Sequence, residues 1–215
     1  MNPSLPDTPT PIAAISDAQG NIESQAAASS TFASDLRLIL EETRIIDRDQ
    51  LRAILSSGCD LLTPSEQWRG VKTSALIVNE DITKLLLVQI FPSERWFAPG
   101  GKSVAGEDPR QTALRHAREM TGVEVKPASA QSPDKIFHAE VATDFEGDQR
   151  LGAETSFLVF GHENNPIQKG PGIHDAKWVT ILDLLDAEEA HLMGISTKAY
   201  WFGEHSRMVR ALKAG

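Results

Sequence analysis

The sequence predicts a mixed α/β sandwich preceded by an N-terminal helical extension. Three observations predict it. β-rich runs stand before, after and on either side of one well-capped helix. Two stretches upstream repeat apolar residues at three- and four-residue spacing. A chain of 215 residues with 40% hydrophobic content can bury one substantial core, and that length favours one domain with extensions over two domains.

Residues 1–34 carry Pro3, Pro6, Pro9 and Pro11, many Ala, Ser and Thr, and neither Lys nor Arg. Such a composition buries too little apolar surface to offset its ordering entropy, so a disordered tail is expected there, able to fold onto a partner. It has no basic stretch before an apolar core, so it does not read as a secretory signal. From Asp35 the pattern changes. Leu36, Ile39 and Leu40, then Leu51, Ile54 and Leu55, mark two amphipathic helical pieces with Gly58 as a stop. This extension, residues 35–69, packs either on the main domain or on a second copy of the chain as a homodimer. Residues 63–70 connect it to a main domain spanning 70–215.

Val71 to Asn79 and Ile82 to Ile90 read as a hairpin around Glu80 and Asp81. Further strands are expected at Lys135 to Val141, Glu154 to Gly161 and Ala176 to Val179. Between the hairpin and these strands, Asp108 is a good N-cap, Pro109 suits the first helical position and Gly122 is a C-terminal stop. A second helix is expected from Ile181 and a last one over Thr197 to Lys213. Self-similarity at a repeat period of about 20–50 residues is absent.

The net charge of -9 argues against a nonspecific nucleic-acid binder, because a phosphate backbone rewards a basic face. A nucleotide-sized substrate remains compatible, since a divalent cation in an acidic pocket neutralises a few phosphates. The apolar runs have strand length, well short of the roughly 18 residues of a membrane-spanning helix. Cys59 is the one cysteine, so an internal disulfide framework and a Cys-based zinc knuckle are excluded, in keeping with a cytoplasmic setting.

The stretch from Trp96 to Val123 concentrates the chemistry. Gly101 is followed after five residues by Glu107, after seven more by Arg115, then by Glu119, Gly122 and the apolar Val123. This resembles the box of the Nudix hydrolase superfamily: Gly, five residues, Glu, seven residues, Arg-Glu-apolar-any-Glu-Glu-any-Gly-apolar. His116 and Met120 stand where that pattern has two glutamates. The resemblance implies a Nudix-like α/β/α sandwich with a mixed sheet. It also implies hydrolysis of a nucleoside diphosphate linked to another group, with Mg or Mn held by box glutamates. Matched position by position, Glu119 takes one ligand position, Glu107 the loop glutamate, and Arg115 the arginine that orients the carboxylates.

Residue chemistry supports parts of this independently. On a helix, residues three and four apart share a face, so Arg115, His116 and Glu119 lie close together. Glu107 and Glu119 could hold one hard cation from two elements. Gly100 and Gly101 permit a close backbone path past phosphate oxygens, with Lys102 and Arg95 flanking it. Met120 cannot ligate a hard cation and continues a core stripe with Ala113 and Ala117. His116 reads equally as a base, as a ligand for a softer metal and as an ordinary helix residue. Trp96 reads as a core residue or as a stacking platform. Glu146, Asp148, Glu154, Asp175 and His174 are further candidates outside the box.

With two carboxylates replaced, three functions follow in order. The first is a Nudix-type hydrolase of reduced activity acting on a small nucleotide or diphosphate. The second is a noncatalytic module binding a nucleotide or protein partner. A distant third, isopentenyl diphosphate isomerisation, calls for a Cys near the glycine pair, and this sequence has none there.

Overall fold

The computed structural model describes residues 34–36, 48–58, 60–92, 96–103, 107–127, 136–143 and 150–185. The proline-rich tail, Ile39, Leu40, Cys59, Arg95, Glu146, Asp148 and the helix expected over Thr197 to Lys213 lie outside these residues.

The first complete element is helix α1, Arg48–Ser56. Its apolar positions Ile54 and Leu55 are buried together with Leu36 and Leu61. Strand β1, Trp68–Val78, begins two residues before the expected boundary. Trp68 is fully buried, and its indole Nε1 donates to the Leu61 carbonyl at 2.7 Å. A register shift between Trp68 and Val71 brackets Gly70, so the glycine that reads as punctuation in sequence marks a bulge within the strand. A turn over residues 79–83 leads into β2, Lys84–Ile90. Asn79 ties that turn down: its buried side-chain oxygen accepts from the N–H groups of Thr83 and Lys84 at 2.8 and 2.9 Å.

Two short strands follow that the sequence does not announce, β3, Trp96–Phe97, and β4, Gly100–Lys102. Next come helix α2, Pro109–Thr121, and strands β5, Val125–Pro127, and β6, His138–Thr143. The chain continues through β7, Leu151–Gly161, and β8, Ile173–Thr180, into α3, Ile181–Leu185.

All eight strands join one mixed hydrogen-bonded network. β1 is its axis: it pairs in parallel with β7 along most of its length, and antiparallel with β2 at its C-terminal end and with β4 at its middle. β7 carries β5 and β6, while β2 carries β3 and β8. Alternation along β1 divides the core in two. Val71, Ala75 and Ile77 pack with Ala113 and Ala117 of α2 and with Ile54 and Leu55 of α1. Leu76 and Val78 pack on the opposite side with Leu85, Leu87, Val179 and Leu184, the last from α3. The result is a mixed α/β sandwich with helices on both faces, and the helical extension shares the α2-side core. Among the described residues, no helix is long and apolar enough to cross a membrane.

Candidate functional site

Helix α2 starts where the sequence expects. The Asp108 carboxylate accepts from the N–H groups of Arg110 and Gln111 at 2.9 and 3.4 Å, satisfying donors that have no partner within the helix. At the other end Gly122 adopts φ +67°, and its N–H donates to the Arg118 carbonyl at 2.8 Å. These caps fix which residues α2 turns toward the sheet and which it turns away.

Arg115 organises the outer side. Its Nε and one terminal nitrogen donate to the two oxygens of Glu107, each at 2.8 Å, and its other terminal nitrogen donates to Glu119 Oε2 at 2.9 Å. The Thr112 hydroxyl adds a 2.8 Å bond to Glu107 Oε2. A planar guanidinium suits this forked grip. The guanidinium is held well above its ordinary pKa, first by the hydrogen bond to Glu107, with burial opposing and the charges of Glu107 and Glu119 adding to the rise. Glu107, Gln111, Leu114, Arg115, Arg118 and Glu119 line a concave surface of about 390 Å³.

This geometry redistributes the roles expected of the carboxylates. Both oxygens of Glu107 accept hydrogen bonds from Arg115 or Thr112, so Glu107 and Arg115 hold each other in place. Glu119 is half-exposed at the pocket, with Oε2 on Arg115. Among the described residues, no three His, Cys, Asp or Glu side chains converge as a metal-binding group.

His116, one residue along, lays its ring toward β4. Its ring lies against Gly101 so closely that a Cβ there would stand 2.5 Å from Nε2 and 2.7 Å from Cε1. Gly101 is therefore needed for close approach, and His116 does not line the pocket. Its Nδ1 is 3.8 Å from Glu119 Oε2, beyond hydrogen-bond distance. The glycine pair expected to form a phosphate-cradling loop is strand β4, with Gly100, Gly101 and Lys102 in register with Ser74, Thr73 and Lys72. Lys102 is exposed, and none of the three lines the pocket. Of the stripe expected in the core, Ala113 and Ala117 are fully buried, whereas Met120 is half-buried and the core clusters do not include it.

Among the outlying candidates, Glu154 pairs with Lys72 at 3.8 Å and Asp175 with Lys169 at 3.7 Å. His174 is exposed, and none of these three lines the pocket. Trp96 is half-buried against the α3-side core, with the Lys177 ammonium 4.5 Å from its ring centre. Two contributors went unread in the sequence. Thr112 completes the grip on Glu107. Gly170 runs so close to the Glu119 carbonyl that any side chain would collide with it, and its N–H donates to the Met120 carbonyl at 3.2 Å. The run Gly170-Pro171-Gly172 signals a turn but not where the turn docks.

The fold has many solved counterparts, among them several of low sequence identity. A NUDIX hydrolase from Nitrosomonas europaea is 20% identical, with 63% of this chain and 87% of that one covered and a TM-score of 0.49. A NUDIX family hydrolase from Clostridium perfringens is 16% identical over 67% of this chain and 99% of that one, also at 0.49. An Ap4A hydrolase from C. elegans is 18% identical over 62% and 98%, at 0.42. No curated protein matches the sequence. The model of the NUDIX domain matches residues 68–198, more than half of the chain, and takes in β1, the glycine pair, the whole of α2 and both long partner strands. The chain belongs to the NUDIX domain family.

Proposed function

We propose that the chain is a hydrolase of a nucleoside diphosphate linked to another group, acting by attack of water on phosphorus with Mg or Mn and with low turnover. The observation that carries this reading is the state of Glu119. Its side chain is 54% exposed at the pocket, and Arg115 holds Oε2 while Oε1 has no partner among the described residues.

A phosphoanhydride resists attack because its oxygens repel the nucleophile, so positive charge and a placed water are required. A bound divalent cation would supply that charge and make the water more acidic. Mg commonly keeps several waters and takes one or two carboxylates together with substrate phosphate oxygens. A single hard carboxylate, Glu119, suits a cation that arrives with the diphosphate; it does not suit one held permanently by the protein.

Arg115 fixes the Glu119 carboxylate, and Glu107 fixes Arg115. Arg118 lines the same pocket without an ion-pair partner among the described residues, and takes the phosphate-contacting part that the sequence suggests for Gly100, Gly101 and Lys102, none of which lines the pocket. His116 does not line the pocket and is assigned no role as base or ligand.

Turnover of a nucleotide panel with Mg and with Mn is expected in the wild type, and Glu119→Gln is expected to lower kcat by about a hundredfold or more. Absence of turnover both in the wild type and in the double variant His116→Glu, Met120→Glu would overturn the reading. One observation favours a second function, a noncatalytic nucleotide-binding module: the lack of converging ligands among the described residues. Metal-independent binding with the nucleotide recovered unchanged would establish it.

A further inference from the structure

Three buried polar side chains lie between α2 and the adjoining strands β4, β1 and β7. Thr73 of β1 has Gly101 of β4 as its register partner on one side and Thr155 of β7 on the other. Val71, Ala75, Ala153 and Phe157, two residues away along each strand, belong to the core cluster that contains Ala113 and Ala117 of α2. Thr73 and Thr155 therefore face α2, by the alternation of strand side chains. Both are buried, at 0% and 1% exposure. The His116 ring comes to the same place from α2, with Nε2 2.5 Å from where a Cβ of Gly101 would be. Opposed Cβ positions in an antiparallel pair are about 4.5–5.5 Å apart, which brings Thr73 and His116 Nε2 within the span of one bridging molecule.

The three groups nevertheless do not bond to one another. Thr73 Oγ1, Thr155 Oγ1 and His116 Nε2 are all buried without a hydrogen-bond partner among the described residues. Buried polar atoms in folded proteins are rarely left bare, and a water commonly completes such sets with two to four bonds. Water also fits the chemistry of the set. It includes no carboxylate to hold a cation and no arginine or lysine to hold an anion, and hydroxyls can turn to donate or accept.

We propose that one water molecule is bound in the fold beneath Gly101, bridging His116 Nε2 to the hydroxyls of Thr73 and Thr155. His116 is then a positioning residue, tying α2 to β1 and β7 through the water and bearing on β4 through its ring. This site is independent of whether the pocket on the outer side of α2 hydrolyses anything.

The test uses the full chain. A crystal structure at a resolution that reveals ordered water is expected to show a peak within hydrogen-bond distance of all three atoms. An empty gap, or a direct bond between the side chains, overturns the proposal. Thr73→Val keeps the shape and removes one hydroxyl, so it is expected to lower the folding equilibrium constant about fivefold to tenfold and to shift the His116 ring-nitrogen resonance at fixed pH. Thr73→Ser restores the hydroxyl and is expected to return that resonance to its wild-type position. A simple packing role predicts the reverse: Val without effect or stabilising, and the resonance unmoved by either change. Should neither variant fold, the wild-type water peak still decides the matter.

Discussion

Arg115 and His116 are consecutive residues of one helix, and their polar atoms end in opposite conditions. About 100° of helical rotation separates them. That turn sends Arg115 to the outer side, where each terminal nitrogen and Nε has a carboxylate partner and the groups border open water. The same turn sends His116 inward over Gly101, where Nε2 is buried without a protein partner among the described residues. A charged group at the rim is satisfied by side chains that reach it from eight residues before and four after. His116 Nε2, lying against the sheet, is not reached that way, because the strands next to it present threonines and a glycine. The Nudix pattern has glutamate at this position. Histidine here fills the space over Gly101 with a ring, so the substitution alters packing beneath β4 as well as subtracting a carboxylate from the box.

The outer network is expected to give the largest effect. Arg115→Ala removes three charge-assisted bonds and deprives Glu107, whose side chain is only 18% exposed, of its guanidinium while the bond from the Thr112 hydroxyl remains. A loss of about 3 kcal/mol in urea unfolding is expected, with Arg115→Lys recovering only part because an ammonium cannot fork across two oxygens. The pH dependence sharpens the point. The guanidinium pKa is raised in the folded chain, so its contribution is complete below its ordinary value and is lost only as pH climbs through the higher folded value. The Arg115→Ala penalty should therefore stay constant between about pH 6 and pH 10 as far as the guanidinium is concerned. A penalty falling steeply across that window would show that another group carries it.

The inner side is probed by Gly101→Ala. The added methyl would meet the His116 ring at 2.5 and 2.7 Å, closer than side chains tolerate. Overpacking of this kind is expected to cost about 2 kcal/mol. Combining it with His116→Ala should remove most of that penalty, giving a coupling of at least about 1 kcal/mol in a double-mutant cycle. Strict additivity would mean that the ring does not rest on the glycine.

The sequence announces the scaffold of this comparison far better than its two outcomes. Asp108, Pro109 and Gly122 bound α2 by local chemistry, and the long strands are legible because alternating or continuous apolar runs such as those of β1 and β2 encode their own burial. β4 is not legible in this way. Its three residues include two glycines of low strand propensity, and pairing with β1 imposes the conformation. Glu107 presents a similar difficulty. The spacing shows a carboxylate near a helix start, but the grip of Arg115 and Thr112 on both its oxygens depends on side-chain directions that the spacing does not fix. Met120 continues the stripe by count, yet it is only half-buried at the last turn, where the Gly170 N–H meets its carbonyl, and Val123 carries the core onward instead.

The smallest effect is expected at the residue with the largest proposed role. Glu119 is half-exposed and its bond to Arg115 is an i, i+4 pair on a helix surface, a class of interaction worth only a few tenths of a kcal/mol. Glu119→Gln should therefore change unfolding free energy by less than about 0.5 kcal/mol while removing the turnover assigned to the pocket. Melting and assay on the same sample measure both. A variant that loses activity without losing stability places Glu119 at the chemistry. A variant that loses about 2 kcal/mol would instead make it a structural member of the Arg115 network, and the contrast between an open outer side and a closed inner one would weaken accordingly.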